Sequence, residues 1–141
     1  MKKTAYSVIA VVLAFVCLFS FAACGKETAE GLWASAAYQS DAEFGEGAKT
    51  VTVQVKAEEK AITFTIHTDA ETLGEALLAH NLIAGEDSEF GLYVKVVNGI
   101  TADYDVDQSY WGFYKGGEYM MTGVDSTVIA DGDAYELVYS K

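Results

Sequence analysis

The chain has no arginine and no proline, and only two cysteines and two histidines among its 141 residues. Lysine supplies nine positive charges against 21 acidic residues, for a net charge of −12. That balance excludes nucleic acid as a partner, because such binding rests on Lys and Arg neutralising phosphates. It equally disfavours anionic lipid headgroups. It keeps a surface protein soluble and leaves cationic or neutral molecules as the electrostatically compatible ligands. Without proline, turns must be built from Gly, Asn and Asp, and glycine is plentiful at 13. The cysteines are Cys17 and Cys24. No disulfide therefore staples the body of the chain, whose stability must come from packing.

Site chemistry is equally sparse. His67 and His80 are too far apart in sequence for an HxxxH pair, and no CxxC occurs, so no metal site is expected. No G-x-S-x-G elbow or glycine-rich phosphate loop is found, and nothing singles out a nucleophile with its base. The chain is expected to be no enzyme. Asp103, Asp105 and Asp107 alternate, and an extended segment would put them on one face. A calcium loop of the EF-hand type needs Gly at its sixth position and Glu at its twelfth. Gln108 and Tyr114 stand there instead, so the three carboxylates read as a solvated face.

Charge is absent altogether from Thr4 to Cys24. Lys2 and Lys3 precede an apolar run from Ala5 to Ala23, which ends at Phe21-Ala22-Ala23-Cys24. A basic start, an apolar stretch and small residues at the exit form a secretory signal. The cysteine after the small pair makes it resemble a bacterial lipobox, with Phe21 where Leu is usual. That resemblance implies cleavage before Cys24 and lipid on its thiol. The alternative is a transmembrane anchor, since the run is about long enough to span a bilayer. Either places the remainder on the extracytoplasmic face of the cell membrane. Removal of Lys2 and Lys3 takes the net charge from −12 to −14. The expected division is a leader over 1–23, a tether and arm over 24–49, and a folded domain over 50–141.

Periodicity fills in the domain. Val51, Val53 and Val55 alternate with polar residues, and Ile62, Phe64 and Ile66 do the same after a bend at Glu58-Glu59. This predicts a hairpin of half-buried strands. Thr72-Leu73-Gly74-Glu75 fits a capping box, followed by Ala76, Leu77 and His80 at helical spacing and a stop at Asn81. Gly85 to Gly91 reads as an acidic loop. Leu92, Val94 and Val96 lead to the tight-turn pair Asn98-Gly99, and a second hairpin turns at Gly116-Gly117. Val128-Ile129 and Tyr135-Leu137-Tyr139 close the chain. In the arm, Trp33 is expected to dock on the domain. The whole predicts an α+β fold, a mixed sheet with one packed helix, β-grasp-like.

Aromatic residues gather late. In Tyr110-Trp111-Gly112-Phe113-Tyr114, a strand would send Trp111 and Phe113 one way and Tyr110 and Tyr114 the other, with Tyr119 nearby. One set suits a core. The other suits a contact surface, since Tyr and Trp give large contact area at low entropic cost. This segment, with Gly116-Gly117-Glu118-Tyr119, Gly123-Val124-Asp125 and Asp131-Gly132-Asp133, resembles the transcobalamin-like C-terminal domain family, DUF4430. The similarity extends back through Val96-Val97-Asn98-Gly99-Ile100 and Thr72-Leu73 to about Val51. It implies a β-rich domain with one helix. In the animal vitamin B12 carriers of that family, the equivalent domain forms one side of the cobalamin site, and a large helical domain forms the other.

These readings lead to an expected ligand-binding surface of Tyr110, Trp111, Phe113, Tyr114 and Tyr119, with Asn98 at the neighbouring turn. The expected ligand is a corrinoid such as cobalamin, or another flat hydrophobic molecule, handed on to a membrane transporter. No bound cofactor is expected. The alternative is a cell-surface module that recognises a protein through an exposed sheet edge.

Overall fold

A computed structural model describes residues 31–89 and 91–141. The leader, Cys24 and the tether up to residue 30 lie outside the described residues. Among the described residues no helix is long and apolar enough to cross a membrane.

The strands are β1 (Ala42–Phe44), β2 (Lys49–Ala57) and β3 (Lys60–Thr68), then helix α1 (Leu73–Ala79). β4 (Ile83–Ser88), β5 (Gly91–Val97) and β6 (Ile100–Thr101) follow. A short helix α2 (Tyr104–Asp107) leads to β7 (Tyr110–Lys115), β8 (Glu118–Tyr119) and β9 (Ala134–Ser140). Six strands form one sheet in the order β1-β3-β2-β9-β7-β8, and β4-β5-β6 form a second. The first hairpin and the last strand meet at the centre, where β2 and β9 run parallel. That central parallel pair, flanked by the antiparallel β3 and β7, is the β-grasp arrangement expected from the order of elements.

Strand alternation decides the layers. Val51, Val53 and Val55 of β2, Ile62, Phe64 and Ile66 of β3, and Tyr135 and Leu137 of β9 are all at most 3% exposed. Leu73, Ala76 and Leu77 of α1 join the same buried cluster. The opposite face carries Thr52, Gln54, Lys56, Thr63, Thr65 and Glu136, all half-exposed, the polar alternation of a sheet packed on one face only. Among the described residues every buried core residue lies from Trp33 to Leu137.

α1 starts as expected. The Thr72 hydroxyl accepts from Glu75 N at 3.3 Å. The Glu75 carboxylate accepts from Glu71 N, one residue before the cap, so the box is offset by a residue. Asn81, with φ of 55°, ends the helix in the left-handed conformation that Asn tolerates.

Four expectations need correction. The acidic stretch from Gly85 is no loop: β4 continues to Ser88 and pairs with β5. Its side chains beyond Ile83 are exposed, so no apolar alternation marks it, and backbone pairing alone defines the strand. Gly85 permits this, because a Cβ there would meet the Tyr93 carbonyl oxygen at 1.9 Å. The aspartates at 103, 105 and 107 are not extended. Asp103 caps α2 by accepting from Asp105 N at 3.0 Å, and Asp107 accepts from Ser109 N and Oγ. Local side-chain bonds of this kind favour a turn over a strand.

The arm over 31–49 is more than irregular: β1 extends the large sheet beside β3, in parallel. Trp33 sits in a 3-10 turn, Gly31–Ser35, 3% exposed, and its indole donates to Ala57 O at 2.9 Å. Finally, Val128 makes only an isolated bridge with Thr72 and is 73% exposed. Ile129, beside it, is buried.

Candidate functional site

β5 of the small sheet and the β7–β8 hairpin of the large one leave a cleft of about 230 Å³ between them. Its deep part is formed by Trp111, Phe113, Val124 and Leu137, with Leu92, Val94 and Met120 partly buried above them. The rim is Tyr93, Tyr119 and Met121, which are 42%, 59% and 90% exposed. A cleft with an apolar floor, polar surface at Thr122 and Gly123, and an exposed methionine and two tyrosines at its mouth suits a ligand with a large apolar part, because thioether and ring faces adapt to varied shapes.

The deep wall is rigid for clear reasons. The Trp111 indole donates to Ile100 O at 3.2 Å, and its ring meets Tyr139 edge-on at 5.6 Å. Phe113 stacks on Tyr135 with centroids 5.7 Å apart. The Tyr135 hydroxyl donates to Asp133 Oδ2 at 2.7 Å. Burial, followed by the Asp133 acceptor and its charge, raises the Tyr135 phenol well above the usual range. Burial would also raise Asp133. The hydrogen bonds from Ala130 N and the Tyr135 hydroxyl, with the Lys115 charge, outweigh it and hold the carboxyl below its ordinary value.

The expected surface residues divide between places. Trp111, Phe113 and Tyr119 line the cleft. Tyr110 and Tyr114 stand on the opposite, flat face of the large sheet, paired with Ser140 and Glu136 of β9. Tyr119, on the edge strand β8, borders the cleft while its ring meets that of its register partner Tyr114 edge-on at 5.5 Å. Asn98 is fully buried and its side chain is engaged: Oδ1 accepts from Tyr38 N at 2.9 Å and Nδ2 donates to Tyr38 O at 2.8 Å. It clamps the arm rather than facing the cleft. Leu92, Val94, Met120 and Met121 were not among the expected residues. The adjacent methionines after Tyr119 are the sequence signal that could have found them, since paired methionines at a strand end mark an adaptable apolar surface.

One other arrangement merits a chemical test. Thr50 Oγ1 lies 3.0 Å from His67 Nδ1, and His67 Nε2 meets Glu43 Oε1, the order of a hydrolytic triad. The amides of Thr50 and Thr52 are already engaged, by Asp131 Oδ1 and Asp133 O. Neither is left to stabilise an oxyanion, so the chain of bonds reads as a tie between β1 and β2.

The family described as "Domain of unknown function (DUF4430)" matches residues 70–141. No curated protein matches the chain. Among solved structures, a candidate metal binding protein from Ruminococcus gnavus ATCC 29149 is 41% identical with a TM-score of 0.63. The match covers 67% of this chain and 98% of that one. Haptocorrin, solved in complex with Cbi, is 20% identical with a TM-score of 0.56. That match covers 70% of this chain and 26% of haptocorrin, so it is a likeness of fold to about a quarter of that protein. The family match spans half the chain, the bacterial relative is matched along nearly its whole length, and the transcobalamin-like fold expected from the sequence is the one found: the chain belongs to the DUF4430 family.

Proposed function

We propose that the chain is a lipid-anchored, extracytoplasmic binding domain that grips a flat apolar ligand, of the corrinoid class, in the cleft between its two sheets. The cleft itself carries this reading: an apolar, rigid-walled recess beside a rim of exposed Met121, Tyr93 and Tyr119. The fold likeness to haptocorrin in complex with Cbi supports the ligand class. At about 230 Å³ the cleft is smaller than pockets that enclose whole ligands, about 300–1,000 Å³. It therefore seats one edge of a large flat molecule, and a second body, such as a membrane transporter, covers the rest. Among the described residues no group of three or more His, Cys, Asp or Glu is placed to hold a metal ion. The reading is non-catalytic.

An absorbance titration of residues 25–141 with cobinamide, cobalamin and haem tests it. Saturable binding is expected for a corrinoid. Met121→Glu, at a residue 90% exposed, weakens it at least about tenfold by placing a carboxylate at an apolar contact, with an unchanged melting temperature. Absence of saturation with all three contradicts the reading. The anchor is tested separately: radiolabelled palmitate is expected to label the full chain in cells and to be lost in Cys24→Ser.

A second reading, a protein-recognition module, draws on the face of the large sheet away from the cleft, where Tyr110 is 41% exposed. Cross-linking on whole cells that is lost in Tyr110→Ala, with corrinoid binding intact, would favour it.

A further inference from the structure

Beyond the cleft, on the other side of the Met121-Thr122-Gly123 segment, lies a second cavity of about 500 Å³. Those three residues line both cavities. The rest of the second lining is Glu89, Gly91 and Ser126, so its chemistry is that of hydroxyls, backbone and one carboxylate. A second carboxylate, that of Asp125, lies behind the wall and lines neither cavity. Asp125 Oδ2 accepts from Leu92 N at 2.8 Å, and Leu92 lines the apolar cleft. Asp125 Oδ1 is buried with no hydrogen-bond partner. Gly91 allows this approach, since a Cβ there would stand 2.5 Å from both carboxylate oxygens. A buried acceptor without a donor is costly, and a cation close by relieves it. Among the described residues no lysine or histidine lines either cavity.

We infer that the two cavities form one bipartite site for an amphipathic cation: its apolar body lies in the cleft, and its ammonium-like end crosses the Met121 ridge into the second cavity, toward Glu89 and Asp125. The inference rests on the small-molecule reading above and adds the charge of the ligand. The net charge of −12 acts in the same direction at long range, drawing cations toward the protein.

Three probes of one shape and different charge separate the two claims: naphthylmethylamine, naphthylmethanol and naphthoate. Residues 25–141 are titrated with each, by calorimetry and by the methyl signals of Met120 and Met121. The amine is expected to bind about tenfold tighter than the alcohol, and the naphthoate more weakly than either. Glu89→Gln is expected to reduce the amine's advantage to about threefold and leave the alcohol unchanged. High salt reduces it likewise. Equal binding of amine and alcohol overturns the inference and leaves the apolar cleft standing. An amine advantage that survives both Glu89→Gln and Asp125→Asn also overturns it. No binding by any probe also overturns the inference, and the small-molecule reading is then judged by the corrinoid titration alone.

Discussion

Asn98 shows how much one side chain can organise. It holds φ of 52° at the first position of a tight turn, which Asn accepts at low cost, and its amide bonds both polar groups of Tyr38, 60 residues away. Asn98→Ala loses both bonds and strains the turn. It is expected to destabilise by about 2–4 kcal/mol, since a net hydrogen bond is worth about 1 kcal/mol and an unmet buried group costs more. Asn98→Gly relieves the strain alone and is expected to fall between the two in urea unfolding. Neither is expected to change ligand affinity, because the side chain does not reach the cleft. Tyr135 gives a pH test. Its folded-state pKa is raised by burial, then by Asp133, so the neutral phenol is favoured in the fold. Its stabilising contribution is complete below the unfolded value near 10 and is lost as pH rises beyond it. Stability is expected to fall from about pH 10 upward, and Tyr135→Phe to flatten that fall while costing about 1 kcal/mol at neutral pH. Asp133 acts in the opposite sense: lowered in the fold, it holds stability above about pH 4 that is lost on acidification.

Elements were legible where burial and local chemistry agreed. The alternation in β2 and β3, the cap at Thr72 and the Asn98-Gly99 turn each reflect a local rule, and each is present. Thr72→Ala is expected to cost about 1 kcal/mol, the usual worth of an N-cap, measured as a lowered urea midpoint. Illegible elements lack a one-sided face. β4 is exposed beyond Ile83, and its register against β5 shifts between Ala84 and Gly85, where the Tyr93 carbonyl crowds Gly85, a contact set by tertiary structure. β1 is three residues long, too short for a periodic signal. The cleft follows the same logic. The strand alternation that separates Trp111 and Phe113 from Tyr110 and Tyr114 could be read directly. Which face meets a second sheet could not, because Leu92 and Val94 reach the cleft through β5, an element whose partner strand carried no pattern.

At the scale of the molecule, the large sheet supplies a rigid wall and the small sheet an opposing one, and the function proposed depends on the space between. The arm contributes stability at a distance: Trp33 under β2 and β1 beside β3 complete the core without touching the cleft. Trp33→Phe is therefore expected to lower stability by about 1 kcal/mol for the lost indole bond and to leave binding unchanged. The protein carries its own reporters for the central claim. Its three methionines are Met1, Met120 and Met121, so residues 25–141 have two, and both line the cleft. The most direct measurement is the methyl spectrum of methionine-labelled protein titrated with cobinamide. The account predicts that both signals move together and saturate, with Met121 moving more. Signals that stay fixed through the titration would contradict it.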